Sequence, residues 1–289
     1  MQNKNLKILT VIFVVLIGFL GIKTYLPKVT PTTSAYSEKV KTVNRESVAS
    51  VLIKNTSDSI DLKKENNVWK LNAKKVDATK VDNLIGQLLT TTSPEVIAQT
   101  DKRHKEFELT DDLATKVSLD NKLTWLIGKG SGSAVYARFE GDNSVYLLKD
   151  VSLTALSSAS DWYDKTILTF DQTKATKVTF REGNVITILT KQGDKWMSND
   201  KEAKKDKVDS LLSQVSSLTA QSLFDASKGT TYPKAANLVF TIEYNGKSET
   251  LEFYKGSSDY LVKRTSDGEQ FVISEYSISS IISAPKEII

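Results

Sequence analysis

Apolar and polar positions along this chain form a pattern that is written twice. In the first copy a short apolar run at Val51 and Ile53 leads to an alternating run, Ile60-Asp61-Leu62-Lys63. Trp69 follows, and then apolar residues at helical spacing. The second copy repeats this order 127 positions later without a gap. Val51 and Ile53 correspond to Val178 and Phe180, and Trp69 to Trp196. The stripe Val81, Leu84, Ile85, Leu88 corresponds to Val208, Leu211, Leu212, Val215. Alternation marks half-buried strands, whereas the i, i+3, i+4, i+7 spacing marks one face of a helix.

Turn residues divide the first copy. Residues 55–58 and Glu65-Asn66-Asn67 separate three short strands, and Asp77 is placed to cap the helix that follows. Further strands are expected at 114–119, 123–127, 134–139 and 145–148. Their turns fall at Asp120-Asn121, 128–132 and Gly141-Asp142-Asn143, and a closing helix starts within 151–156. In the second copy strands are expected at 178–180, 185–189, 195–197, 238–244, 251–254, 260–263 and 270–273. Its helix is expected at 204–218, and 276–282 closes it. The expected fold is α+β: two tandem modules, 47–160 and 175–289, each a meandering antiparallel sheet packed on one main helix. The connector at 161–174 carries Ile167, Leu168 and Phe170 and is expected to be packed, with Trp162 a candidate contact between modules.

Residues 8–22 are uncharged and strongly apolar, with Lys4 and Lys7 before them. A span wants about 20 residues, and extension to residue 26 takes in Lys23, which can snorkel. A cleavable signal peptide is the rival. Its nearest small-residue site, Thr33-Ser34-Ala35, lies far downstream, so an uncleaved transmembrane anchor at 8–26 is the expectation. Residues 1–7 would form a short cytoplasmic tail and 27–46 a linker, with 30–37 read as a flexible stalk. Basic residues lie on both sides of the segment. The simpler topology keeps the short tail inside and the body of the chain extracytoplasmic.

Composition narrows the function. A chain of 289 residues suits about two domains, and 39% apolar with 26% charged residues suits folded ones. Net charge is only +4 and the signs are interspersed, so no nucleic-acid footprint is read. The absence of cysteine excludes disulfides, thiolate metal sites, a cysteine nucleophile and an acylated lipoprotein cysteine.

The sole histidine, His104, lies in the charged stretch Asp101-Lys102-Arg103-His104-Lys105-Glu106 and is read as solvated. Gly128-Lys129-Gly130-Ser131-Gly132-Ser133 leads into a strand rather than a helix, so it is read as a hairpin turn and not a phosphate loop. Asp111-Asp112, Asp200 with Glu202, and Asp58 with Asp61 are read as surface carboxylates, and Asp142-Asn143 as a turn rather than a calcium loop. Trp69, Trp125 and Trp196 are read as core. No catalytic, cofactor-binding or metal-ligating residue is assigned, and no cofactor is expected.

Several short motifs follow one another in a distinctive order. They are Trp69-Lys70-Leu71, the helix from Asp77 to Leu88, Leu126-Ile127-Gly128-Lys129, Val135-Tyr136-Ala137-Arg138 and Val145-Tyr146-Leu147. In this order, after an N-terminal apolar segment, the chain resembles the DUF4340 domain family, whose biochemical function is unassigned. The family often carries a Y-G-L-x-x-P-like segment after the helix. Here Phe107-Glu108-Leu109-Thr110-Asp111 has neither the glycine nor the proline. The resemblance implies a membrane-anchored extracytoplasmic protein, linked in some relatives to ABC-type transport or gliding systems, and supplies no catalytic residues.

The expected function is therefore non-enzymatic: an auxiliary or scaffold component of an ABC-type transport or envelope system. Its expected partners are the membrane, through the N-terminal helix, and a membrane protein such as an ABC permease. The alternative is a cell-wall or glycan binding module using Tyr136, Tyr146 and Tyr260 as exposed aromatics.

Overall fold

The computed structural model describes residues 33–90, 94–151, 156 and 158–289. Helix α1 spans Thr33–Val40. Strands β1 (Ser50–Lys54), β2 (Ser59–Glu65), β3 (Val68–Leu71) and β4 (Lys74–Lys75) follow, then helix α2 (Ala78–Thr90). Next come β5 (Glu95–Ala98), β6 (Thr115–Leu119), β7 (Leu123–Ser131), β8 (Ala134–Phe139), β9 (Val145–Lys149) and β10 (Thr166–Thr169). Strands β11 (Ala175–Glu182), β12 (Val185–Gln192), β13 (Lys195–Ser198) and β14 (Lys201–Glu202) lead to helix α3 (Lys205–Val215). The chain ends with β15 (Ser217–Thr219), β16 (Ser222–Leu223), β17 (Leu238–Tyr244), β18 (Lys247–Lys255), β19 (Asp259–Arg264), β20 (Gln270–Ser274) and helix α4 (Ser279–Glu287).

The architecture is mostly antiparallel sheet with a few helices: two nine-stranded sheets and a two-stranded ladder of β10 with β15. The second sheet runs β14-β13-β12-β11-β17-β18-β19-β20-β16. In the first, the runs β4-β3-β2-β1 and β6-β7-β8-β9-β5 match it strand for strand. By compactness the chain divides into one unit drawn from Met1–Val48 and Ile85–Ser152, and another drawn from Ala49–Leu84 and Leu153–Ile289.

The first unit is built around an aromatic cluster. Trp125 on β7, Phe139 on β8 and Tyr146 on β9 are buried, and Tyr36 of α1 joins them with ring centroids 4.9 Å from Phe139 and 5.0 Å from Tyr146. The stalk expected at 30–37 is therefore helical from residue 33 onward, because burial of one aromatic side chain outweighs the weak helix preference of its small polar neighbours. Arg138 is also buried, and its guanidinium donates to the carbonyls of Leu109, Phe139 and Asp142.

His104 is buried rather than solvated. Its Nε2 lies 3.0 Å from the Asn143 carbonyl oxygen, an acceptor only, so that nitrogen carries the proton. The segment Phe107–Leu109 explains the neighbouring turn. Glu108 adopts φ +59°, a left-handed conformation that glycine enters most readily. Gly128 sits against that same backbone: a Cβ there would meet the Phe107 carbonyl oxygen at 2.0 Å. Lys129 N–H donates to the Phe107 carbonyl, and the register shifts between Ile127 and Gly130. The glycine-rich stretch expected as a turn is thus strand as far as Ser131, bulged to admit a second backbone.

The second unit buries one large apolar cluster. Val178, Phe180, Phe240, Leu251, Phe253 and Phe271 come from its sheet, Val208, Leu211 and Val215 from α3, and Ile281 from α4. Trp196 belongs to this cluster. Ile167 and Leu168 are buried on β10, and Phe170 stacks on Tyr244 with centroids 4.7 Å apart, as the packed connector requires. Trp162 is buried, and its carbonyl accepts from the Asp77 N–H. Asp77 Oδ1 in turn accepts from Thr79 N–H, so Asp77 caps α2 as its sequence position implied.

The expected anchor at 8–26 lies outside the described residues, as does most of 151–156. Among the described residues no helix is long and apolar enough to cross a membrane.

Candidate functional site

In the second unit a cleft of about 700 Å³ opens beside Trp196, a volume in the range that holds small ligands or a side-chain cluster of a partner. Its apolar wall is Trp196, Ala203 and Leu212. Strand β13 delivers the tryptophan, and the tight turn into β14, with Asn199 at φ +51°, brings Glu202 back alongside it. Helix α3 supplies Lys205 and Asp209 on the outer side, one turn apart.

Three lysines and three carboxylates ring the opening, and most are already paired. Lys195 Nζ lies 2.6 Å from Glu202, and Lys205 is paired with Asp209. Lys191 Nζ donates to the Thr173 carbonyl at 3.4 Å. The hydrogen bond to Asp209, followed by its charge, holds the Lys205 ammonium above the ordinary lysine range. A rim whose charges cancel pairwise exerts little pull on a simple anion or cation. It suits a surface that itself carries mixed charge and some apolar area.

The first copy differs at the same positions. The residue corresponding to Gln172 is Arg45, and that corresponding to Ser213 is Gly86. The Arg45 guanidinium lies against Gly86, so close that a Cβ there would meet Nη2 at 2.9 Å. Lys64, the counterpart of Lys191, sits 5.9 Å from the centroid of the Trp69 ring. The copies agree in residue type along the buried stripe, whereas Arg45 and Gly86 stand where the second copy has Gln172 and Ser213.

The other groups weighed from sequence do not converge. Asp111 pairs with Lys116, Asp61 with Lys63, and Glu202 with Lys195, each an exposed carboxylate on a nearby lysine. No group of three His, Asp or Glu among the described residues stands ready to hold a metal ion. Tyr146 and Tyr260 are buried, and Tyr136 stacks on Phe107 at 4.2 Å, so these three are not a row of exposed aromatics. Gln172, Lys191 and Lys205 carry no motif in the sequence. Gln172 and Lys205 differ from their counterparts Arg45 and Ala78 at the 127-residue offset, whereas Lys191 is lysine in both copies, at Lys64 in the first.

Together these features define a predominantly antiparallel-β protein with internally matching sheets and an open, charge-balanced cleft beside Trp196. Residues 69–238 match the family described as Domain of unknown function (DUF4340). The chain belongs to that family, and the matched stretch begins at Trp69 and includes Trp196. No curated protein matches the chain, and no solved structure does.

Proposed function

We propose that this chain is a membrane-anchored, extracytoplasmic auxiliary or scaffold component of an ABC-type transport or envelope system, made of two tandem copies of one module. It acts by binding and not by catalysis. The observation that supports this reading is the way the copies differ. Trp69 and Trp196, Val81 and Val208, and Leu84 and Leu211 fill matching buried positions. At other matching positions Arg45 lies against Gly86 in one copy, while Gln172 and Ser213 line the open cleft in the other. A fold kept twice with different surfaces is suited to contacting two different neighbours. The paired lysines and carboxylates of the cleft favour a protein surface over a free ion.

A tagged full-length chain, solubilised with its membranes in mild detergent, tests the proposal. A permease recovered in stoichiometric amount supports it. Retention on isolated cell wall with no membrane protein recovered would replace it with the glycan-binding reading, in which Trp196 stacks on a sugar ring.

A further inference from the structure

We infer that the free edge of β12 is a self-association site, pairing antiparallel with β12 of a second copy. Strand β13 covers β12 only at Thr190, Lys191 and Gln192. On its other side β12 pairs with β11 through residues 185–190. Along residues 185–189, therefore, no described strand pairs with the second edge of β12. Alternate residues there direct backbone N–H and C=O groups away from β11. Among the described residues this segment gathers exposed large apolar side chains: Val185 is 64% exposed, Ile186 59% and Ile188 43%.

The fold does not require apolar residues here, because the first copy does without them. The residues corresponding to Val185, Ile186 and Ile188 are Asp58, Ser59 and Asp61. Edge strands commonly carry charge to prevent pairing with other chains, and β2 fits that rule. Strand β12 lacks this protection, since no charged side chain lies between Glu182 and Lys191.

The occupant that fits is β12 itself. An antiparallel pair centred on Thr187 sets Val185 against Leu189 and Ile186 against Ile188 of the other copy, with a two-fold axis at Thr187. Ile186 and Ile188 lie on the same side of their strand, so the pair gathers four isoleucines on one face. The free edge is five residues long and would receive the same five residues. It is bounded at one end by β13 and at the other by the Gly183-Asn184 turn. The inference stands independently of the transport reading.

The chain has no cysteine, so single introduced cysteines report the register directly. Full-length Thr187→Cys, oxidised in its membranes, should give a disulfide-linked species of twice the chain mass. Directly opposed residues in an antiparallel pair lie about 4.5–5.5 Å apart at Cα, within disulfide reach. Ile186→Cys and Ile188→Cys, carried on differently tagged chains, should cross-link to each other and only weakly each to itself. Ile186→Ser with Ile188→Asp, which installs the first copy's residues, should cut the Thr187→Cys product at least tenfold while the melting temperature is kept. No dimer at Thr187→Cys overturns the inference, as does an adduct of another mass, which would identify a different protein on this edge. A cross-link unaffected by the serine and aspartate substitutions also overturns it.

Discussion

The Tyr36 hydroxyl lies between two groups that have no other reason to meet. It accepts a hydrogen bond from the Trp125 indole N–H at 3.2 Å and donates to the Leu88 carbonyl at 2.9 Å. Leu88 is in the last turn of α2, where backbone carbonyls lack partners within the helix. One phenol thus satisfies a buried indole and caps a helix. Tyr36→Phe keeps the ring packing but orphans the indole N–H, which costs about 1–3 kcal/mol. At about 2–4 °C per kcal/mol for a domain of this size, the loss is readable in a thermal melt. A variant that melts with the wild type would show that α1 contributes packing alone.

Alkaline pH should expose other tyrosines. Burial, reinforced by a hydrogen bond to a carboxylate, pushes Tyr232 up to about 12 and Tyr254 likewise to about 12. Their hydroxyls donate to Asp259 and Glu252. In the unfolded chain a tyrosine titrates near 10. The sign follows from linkage: folding favours the protonated phenols, so their contribution is complete below about pH 10 and is lost as pH rises toward 12. Lysines held above their ordinary range by carboxylates, such as Lys205, decline in the same window. The double variant Tyr232→Phe, Tyr254→Phe isolates the tyrosine part. Its denaturation midpoint should fall less than the wild type's between pH 9.5 and 11.5, a window set by those reference values.

Residues whose structure follows from neighbours in sequence were readable, and those whose structure follows from distant partners were not. Asn66-Asn67 and Asp120-Asn121 take the left-handed turn conformations that Asn and Asp favour. The stripe of α3 is buried at Val208, Leu211, Leu212 and Val215 as its spacing requires. Ala73, by contrast, adopts φ +65°, a conformation alanine does not advertise. His104 sits among charges in the sequence, yet it is buried because Asn143, 39 residues away, offers a carbonyl. Tyr36 lies in a stretch of small polar residues without periodicity. Strands β10, β15 and β16 are two to four residues long, too short for alternation to declare them. At the cleft, Trp196 is legible as core from its place before the helix stripe, whereas the rim is assembled only by the fold, from Lys191 on β12, Lys195 on β13 and Lys205 and Asp209 on α3.

At Glu108 the backbone carries a cost that sequence substitution can remove. A non-glycine residue in the left-handed region costs about 1–2 kcal/mol, offset by the roughly 0.5–1 kcal/mol of entropy that glycine loses on folding. Glu108→Gly should therefore raise stability by up to about 1 kcal/mol. Gly128→Ala should act oppositely, because its methyl group would overlap the Phe107 carbonyl and force β7 from the 107–108 backbone. Overpacking of this kind costs about 1–3 kcal/mol or more. Denaturant midpoints of the two variants moving in the same direction would contradict this account of the turn.

The two tryptophans provide the sharpest test of the matching cores. Trp69 is 3% exposed and Trp196 8%, and Trp196 shares its buried cluster with Leu211 and Val215 while one edge lines the cleft. Truncation of a buried tryptophan to alanine costs about 3–5 kcal/mol, a large part of a total near 5–15. Trp69→Ala and Trp196→Ala should each lower the melting temperature sharply, and Trp196→Phe should recover much of the loss by refilling the core. A second substitution separates core from cleft. Gln172→Arg with Ser213→Gly installs the first copy's pair at exposed positions and should shift stability by no more than about 0.5 kcal/mol. The same double variant should lose whatever the cleft binds, since Arg45 against Gly86 shows where the guanidinium would lie. If Trp196→Ala melts with the wild type, the indole belongs to a binding surface rather than the core. If the filled-cleft variant still recovers the same membrane partner, the cleft is not where that partner binds.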